Sequence, residues 1–182
     1  HPVDQRVMLD LVNLARLSAS AANLQPLKFI ISCGTKKNAA IFSSLRWAGY
    51  LKDWQGPENG ERPAGYIVIV GDTDVAKTFG CDHGIAAQSI LLGAVEKGLG
   101  GCILGSIDAA SLRESLKIPG QYEILLVIAL GKPKESVVLE TVGVDGKIEY
   151  WRDEHGAHHV PKRSLDEIVL DLRGGTDGSN KD

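Results

Sequence analysis

The spacing of apolar residues near the start of the chain predicts a helix followed by a strand. In residues 4–19 the apolar positions recur with the period of about 3.6 residues that marks an amphipathic helix. The stripe includes Val7, Met8, Leu11, Val12 and Ala15. Asp4 is placed to cap the start of this helix. Residues 28–33 form a short apolar run that predicts a strand, and residues 36–54 predict two further helical pieces with a weak point at Gly49.

The middle of the chain alternates strand and helix patterns. Residues 66–70 are apolar on both sides, which is typical of a strand that is covered on both faces, and residues 122–130 predict a further strand. Between them, residues 82–97 predict a helix whose apolar residues surround most of its circumference. Such a helix is buried on nearly all sides, either as a central helix or against a second subunit. Asp108 is placed to cap a short amphipathic helix over residues 109–117. This order of elements predicts a mixed α/β or α+β domain.

The last part of the chain predicts a hairpin, a helix and a tail. Residues 142–151 predict a hairpin around an Asp145–Gly146 turn, which is a favoured two-residue hairpin connection. Ser164 is placed to cap a helix over residues 165–172. Residues 173–182 are rich in Gly, Asp and Ser, so we expect a mobile C-terminal tail.

Composition and charge narrow the class of protein. The 182 residues include 20 basic and 23 acidic side chains, and a formal charge of −3 is not typical of a nucleic-acid-binding protein. The sequence has no run of about 18 apolar residues and no secretory signal at its start. Three cysteines without paired spacing indicate a reducing compartment. We therefore expect a cytoplasmic protein without nucleic-acid or membrane partners, whose residues 1–172 form one domain.

Familiar catalytic motifs are missing from the sequence. It contains no G-x-S-x-G elbow, no G-x-x-x-x-G-K-[ST] phosphate loop and no G-x-G-x-x-G fingerprint. Near the C-terminus, three histidines and two carboxylates lie close together at a spacing that fits no metal-binding helix motif. They are Asp153, Glu154, His155, His158 and His159. A polar surface loop is the favoured interpretation of this segment and a metal site is the alternative, so we expect no metal.

Three features together indicate a binding site. Residues 20–26 form a small-residue loop with two amides, which lets a ligand approach the backbone and offers donors and acceptors. Residues 98–105 contain four glycines, whose N–H groups can be aimed at an electron-rich ligand edge. Lys162 and Arg163 precede a predicted helix start and suit a phosphate. Each has a plainer alternative: a connecting loop, close helix–strand packing and solvated surface. Together they suit a flat, polar-edged ring that carries a phosphate.

With these residues identified, the chain resembles the nitroreductase superfamily of FMN-dependent oxidoreductases. The segment Ser20-Ala21-Ala22-Asn23-Leu24-Gln25-Pro26 is similar to the family motif S-A-x-N-x-Q-P. Residues 82–100 are similar to the family's central helix and glycine turn, and residues 125–133 to its strand ending in L-G-K-P. Lys162 and Arg163 match its C-terminal basic pair. The resemblance covers most of the chain, from residue 2 to about residue 169.

The resemblance implies a fold and a reaction. The fold is α+β, with three layers in which helices flank a central mixed or antiparallel sheet. Members are homodimers that hold FMN in pockets at the interface. NADH or NADPH reduces the flavin, and a nitroaromatic, a quinone or a similar small-molecule acceptor reoxidises it in a ping-pong cycle. Because the flavin carries the chemistry, no catalytic side chain is expected.

Carried over residue by residue, the resemblance implies a flavin site in three parts. Two small residues of the loop line the pocket and its two amides bond to ring or ribityl atoms. Two glycines present backbone N–H groups near the reactive ring nitrogen, and the basic pair holds the phosphate. These residues are Ser20, Ala21, Asn23, Gln25, Gly100, Gly101, Lys162 and Arg163. For the acceptor pocket we expect residues 42–60, including Trp47, Tyr50 and Trp54.

One departure from the family keeps a second hypothesis open. The family usually carries an arginine-rich segment, R-R-S-x-R, before its first helix, and this sequence begins at His1, where that segment would end. Either this sequence starts after that segment or the protein lacks it. If the protein lacks it, we expect weaker FMN binding, since each charged hydrogen bond contributes about 1.5–3 kcal/mol. The alternative function is a catalytically silent dimer of the same fold that binds a flavin or a nucleotide.

Overall fold

The computed structural model describes residues 2–170. The chain divides after Pro133 into a first unit, His1–Pro133, and a second unit, Lys134–Asp182. The prediction of one domain over residues 1–172 therefore stays a prediction. The predicted tail, residues 173–182, lies outside the described residues.

A four-stranded antiparallel sheet forms the centre of the first unit. Its strands are β1 (Leu27–Ser32), β2 (Gly65–Asp72), β3 (Gly100–Leu104) and β4 (Tyr122–Gly131). Their order across the sheet is β1-β2-β4-β3, and every pairing is antiparallel. Strand β2 is buried along almost its whole length, as its unbroken apolar run predicted. The predicted strands in residues 28–33, 66–70 and 122–130 are thus confirmed within a residue or two at each end.

Helices cover both faces of this sheet. They are α1 (Gln5–Leu17), α2 (Thr35–Ser43), α3 (Asp82–Glu96) and α4 (Ala109–Leu116). On one face, Met8 of α1 and Ile90 of α3 share a core cluster with Ile67 of β2. On the other face, Ile41 of α2 and Leu112 of α4 share a cluster with alternate residues of the same strands. The first unit therefore has the predicted α+β architecture, with a sheet between two helical layers.

Capping side chains fix the starts of the helices. The Asp4 carboxylate accepts a hydrogen bond from the Arg6 N–H at 2.6 Å, and the Asp108 carboxylate accepts one from the Ser111 N–H at 3.0 Å. Each satisfies a backbone donor that the first helical turn leaves without an internal partner. Both caps were predicted from the sequence.

Of the two helical pieces predicted over residues 36–54, the first ends earlier than predicted and the second, after Gly49, is wrong. Helix α2 ends at Ser43, and residues 46–54 form turns and irregular backbone. Leu45 makes an isolated bridge to Ile107, and Ala48 has a positive φ of 32°. A left-handed residue next to Gly49 interrupts the helical path, so the apolar residues of this segment reach the core from turns rather than from a helix.

The second unit contains a three-stranded sheet and one short helix. Strands β5 (Val137–Thr141), β6 (Trp151–Arg152) and β7 (His158–Lys162) lie in the order β5-β7-β6 and are followed by α5 (Leu165–Ile168). Strand β7 is parallel to β5 and antiparallel to β6. The predicted cap of the last helix is confirmed as a capping box between Ser164 and Glu167. The helix itself is shorter than predicted, because Val169 is already extended.

The predicted hairpin over residues 142–151 is also wrong. The Asp145–Gly146 turn forms, with the Gly146 N–H donating to the Gly143 carbonyl at 2.9 Å and a φ of 69° at Gly146. However, the strands on either side of this turn pair with β7 and not with each other. Partners from further along the chain thus override the local hairpin signal.

Candidate functional site

The loop between α1 and β1 has an unusual backbone. Ala22, Asn23 and Gln25 have positive φ values of 48°, 55° and 53°. Left-handed backbone is disfavoured for residues that carry a Cβ atom, although asparagine tolerates it better than most. Three such residues within four positions need support from outside the loop.

Asp82, in the first turn of α3, supplies that support. The Ser20 hydroxyl donates to Asp82 Oδ2 at 2.6 Å, and the Ala21 N–H donates to Asp82 Oδ1 at 3.0 Å. The Gln25 N–H donates in turn to Ser20 Oγ at 2.9 Å. Asp82 is only 3% exposed. Its place at a helix start also suits a negative charge, because the N-terminal end of a helix is electropositive. The loop is therefore tied to α3 through one buried carboxylate.

A pocket of about 230 Å³ lies where the loop meets α1, β1 and α3. Ser20 and Gln25 line it together with Asp82. Two cations, Arg16 of α1 and Lys28 of β1, also belong to its lining. Whole small-molecule sites usually measure roughly 300–1,000 Å³, so the space in this unit is large enough for part of such a ligand.

The predicted loop residues divide into two groups. Ser20 and Gln25 line the pocket, whereas Ala21 and Asn23 are exposed beside it. The Gln25 side-chain amide donates to the Asn23 carbonyl at 3.2 Å, so the two amide residues are linked to each other. Asp82 is the site residue that sequence reasoning missed. Its one signal, an acidic residue at a helix start, is shared by many helices that bind nothing.

Gly101 lies in closely packed surroundings. A Cβ atom at this position would lie 2.5 Å from Leu91 Cδ2 of α3 and 2.8 Å from Leu130 Cδ2 of β4. At Gly100 the nearest atom, Pro133 Cβ, would be 3.2 Å away. Both glycines begin β3, a strand at the edge of the sheet that pairs with β4 alone. Helix–strand packing therefore accounts for Gly101, and a contact of either glycine with a flavin stays a prediction.

The predicted acceptor-pocket aromatics are not among the residues that line this pocket. Trp47 packs against Phe42 with ring centroids 5.5 Å apart and joins the core cluster on the α2 and α4 face. The pocket is lined by residues such as Ala86 and Phe29, which belong to the α1 and α3 face. Tyr50 is half-exposed and Trp54 is partly buried. A substrate-binding role for Trp47, Tyr50 and Trp54 stays a prediction.

The predicted phosphate-binding pair lies in the second unit. Lys162 ends β7, and Arg163 follows it with a guanidinium 3.0 Å from the Glu167 carboxylate. Helix α5 has only four residues, and its first turn carries two acidic side chains. Its backbone thus adds little to a phosphate site, and the two side chains would have to provide the charge. Because the loop belongs to the first unit, their association in one site stays a prediction.

His158 and His159 lie on β7, not on the expected surface loop. The His159 ring has Nδ1 2.7 Å from a Glu140 carboxylate oxygen and Nε2 3.3 Å from an Asp153 oxygen. It also stacks on Trp151, with ring centroids 4.0 Å apart. The hydrogen bond to Glu140, aided by Asp153, raises the pKa of His159 above its usual value. Within residues 2–170 no group of three or more His, Cys, Asp and Glu side chains is arranged to hold a metal ion.

Comparison with known proteins shows which family the chain resembles. Residues 62–132 match the model of the Nitroreductase family. The resemblance to nitroreductases is confirmed. A nitroreductase family protein from Clostridium novyi NT has 25% identity over 74% of this chain and 77% of its own, with a TM-score of 0.61. An FMN-dependent nitroreductase from Clostridium difficile R20291 has 24% identity over 75% and 80% of the two chains, with a TM-score of 0.60.

A third nitroreductase family structure covers more of the chain. The protein from Streptococcus pneumoniae TIGR4 aligns with 94% of this chain and 91% of its own, at a TM-score of 0.68 and 18% identity, a likeness of fold alone. No curated protein matches the sequence. Among the described helices of this nitroreductase-like chain, none is long and apolar enough to span a bilayer.

Proposed function

We propose that the protein is an FMN-dependent oxidoreductase that takes a hydride from NADH or NADPH and reduces a nitroaromatic, a quinone or a similar acceptor by a ping-pong mechanism. One observation carries the proposal: the Ser20–Pro26 motif borders a pocket in a nitroreductase-like fold. The name of the Clostridium difficile relative supports the choice of FMN. We place the protein in the cytoplasm.

The residues around the pocket fit part of a flavin mononucleotide. Ser20 and Gln25 offer hydrogen-bonding groups to a polar edge, and Arg16 and Lys28 give the lining positive charge that suits a phosphorylated ligand. Asn23 lies beside them in the loop. When bound, FMN would supply the hydride chemistry. The chain's own groups would bind and orient it, and their hydrogen bonds would stabilise charge on the reduced ring.

A second copy of the chain would complete the site as a homodimer. Leu92 and Val95 of α3 are 64% and 67% exposed, and Leu17 of α1 is 65% exposed. Exposed apolar side chains that form one surface patch mark interaction sites in soluble proteins, and we propose that these three residues belong to such a patch. The small volume of the pocket also agrees with a flavin that is shared between two copies. Gly100, Gly101, Trp47, Tyr50 and Trp54 keep their predicted roles in this proposal.

An absorbance spectrum of the purified protein tests the proposed function. We expect a yellow protein, or one that becomes yellow after loading with FMN, and bleaching by NADH or NADPH followed by recovery with a quinone. A colourless protein that takes up no FMN would contradict the proposal. Flavin that binds but resists reduction by both nicotinamides would favour the alternative, a silent flavin-binding dimer.

The phosphate role of Arg163 gives a prediction for flavin affinity. Arg163→Ala should weaken FMN binding about ten- to hundredfold, the equivalent of about 1.5–3 kcal/mol for a charged hydrogen bond. The control is Glu167→Gln, which removes the carboxylate 3.0 Å from Arg163 and keeps a side chain suited to the capping box. It should leave FMN affinity unchanged or slightly higher. Equal affinities of wild type and Arg163→Ala in a fluorescence titration would remove Arg163 from the phosphate site.

A further inference from the structure

We propose that Asp82 is a positioning residue, which holds the Ser20–Gln25 loop in its ligand-binding conformation before any flavin arrives. This inference rests on the proposed function for the identity of the ligand. Its physical basis is the pair of hydrogen bonds that the buried Asp82 carboxylate accepts from the loop. Asp82 and the loop both belong to the first unit.

Both oxygens of the Asp82 carboxylate are used by the loop. Oδ2 accepts from the Ser20 hydroxyl at 2.6 Å, and Oδ1 accepts from the Ala21 N–H at 3.0 Å. The carboxylate is nearly inaccessible to water. Hydrogen bonds to an ionised acceptor are among the stronger ones, and burial removes competing water. Asp82 thus fixes two consecutive loop residues, at the point where the chain leaves α1.

A chain of hydrogen bonds through Ser20 also connects Gln25 to Asp82. The Gln25 N–H donates to Ser20 Oγ at 2.9 Å, which leaves the Ser20 proton free to point at Asp82. A carboxylate can only accept, so it selects this direction of the Ser20 hydroxyl. The chain of bonds spans the left-handed segment from Ser20 to Gln25 and compensates for its backbone strain.

The consequence for binding is preorganisation. Ser20 and Gln25 line the pocket, and Asp82, which they depend on, lines it too. A loop that is ordered before binding does not lose conformational freedom when the ligand arrives, so affinity rises without any new ligand contact. Asp82 acts through Ser20, Ala21 and Gln25, and no chemical step is assigned to it.

The first experiment needs no flavin. Hydrogen exchange of the Ala21 and Gln25 amides is measured in wild type, Asp82→Asn and Asp108→Asn. Asp108 is the matched control, since it is also an aspartate at a helix start but lies on α4, outside the pocket lining. We expect exchange of both loop amides to accelerate at least about tenfold in Asp82→Asn and to stay unchanged in Asp108→Asn. Unchanged exchange in Asp82→Asn overturns the proposal.

The second experiment measures FMN affinity in a double-mutant cycle. Asp82→Asn should weaken binding about tenfold or more, and the same substitution should cost less in a Ser20→Ala background because the shared bond is already lost. Additive losses, or an equal loss in Asp108→Asn, overturn the proposal. If Asp82→Asn does not fold, Asp82→Glu, which keeps the charge and displaces the carboxylate, carries the exchange test at Ala21 and Gln25. A wild type that binds no flavin contradicts the proposed function instead, and the exchange experiment still decides whether Asp82 orders the loop.

Discussion

At the scale of single residues, the conformation of Ala22 is the least expected feature of the site. Its φ of 48° and ψ of 20° place a residue with a Cβ atom in the left-handed region. The sequence motif identified this loop as a candidate site, and Asn23 fits left-handed backbone well. No local signal predicted the same conformation at Ala22 and Gln25, because it depends on bonds to Asp82, which lies 62 residues from Ser20.

This strain predicts that Ala22→Gly stabilises the protein. Glycine relieves the energetic cost of left-handed backbone, which is roughly 1–2 kcal/mol for a residue with a Cβ atom. It also destabilises the folded state by roughly 0.4–1 kcal/mol, because it increases the conformational entropy of the unfolded chain. We expect a net gain of about 0.5–1 kcal/mol in the free energy of unfolding, measured by urea denaturation. The control is Ala39→Gly, at an exposed position inside α2, which should lose about 0.5–1 kcal/mol.

The comparison of the two variants isolates backbone conformation. A loss of stability in Ala22→Gly similar to that in Ala39→Gly would show that the loop does not hold left-handed backbone in solution. Gly101 illustrates the other limit of sequence reasoning at this scale. The glycine run left ligand contact and close packing equally open, and only the folded structure shows that a Cβ atom at this position would lie 2.5 Å from Leu91 Cδ2.

At the scale of elements, local periodicity predicted the first unit better than the second. Helices α1 and α4 follow apolar periods and have visible caps, and helix α3 and strands β1, β2 and β4 follow apolar runs. The Asp145–Gly146 turn was visible too, but the pairing of its flanking strands was not. Strand β6 has two residues, too few for a period, and its pairing depends on β7. The local pattern of apolar residues does not show which distant segment a strand pairs with.

His159 predicts a pH dependence for the sheet of the second unit. It joins Glu140 of β5 to Asp153, just after β6, so its protonated form links the three strands. The carboxylates raise the pKa of His159 above 6.5 in the folded chain. Its contribution to stability is therefore fully present below pH 6.5 and is lost as the pH rises through the folded pKa.

An NMR titration of the His159 ring measures this effect. In Glu140→Gln the pKa of His159 should fall towards its usual value, because the hydrogen bond to a charged acceptor is the main cause of the shift. Glu149→Gln is the control, since Glu149 belongs to the same unit and its carboxylate accepts from the Ile148 N–H. Identical His159 titrations in wild type and Glu140→Gln would refute the proposed link.

At the scale of the whole molecule, the outer face of α3 is the feature that one chain leaves unexplained. The sequence predicted a helix that is apolar nearly all round and left open whether the chain itself or a second subunit covers it. The first unit buries Ala87, Ile90 and Ala94, while Leu92 and Val95 remain exposed. A dimer, which no single sequence pattern specifies, would cover this face.

The dimer proposal predicts the effect of Leu92→Glu. Both copies of a homodimer carry the substitution, and losing the burial of each leucine removes about 1.5–3 kcal/mol, so the dissociation constant of the dimer should rise at least about a hundredfold. Light scattering after size-exclusion chromatography at several protein concentrations measures the shift, and FMN content should fall with it. Val75→Glu, at an isolated exposed valine in a turn, is the control and should remain dimeric. A Leu92→Glu protein that stays dimeric at the same dilution as wild type places the interface elsewhere.

The hydrogen bond between Ser20 and Asp82 also determines when the pocket can form during protein synthesis. Its two ends are 62 residues apart, so the loop emerges from the ribosome well before the carboxylate that orders it. Contacts of such sequence separation form late, after the intervening chain has been gathered. A nascent chain that stops short of α3 would carry the whole Ser20–Pro26 motif and still lack an organised pocket. FMN would then bind only after the first unit has been synthesised and folded, so flavin binding would indicate that this unit is complete.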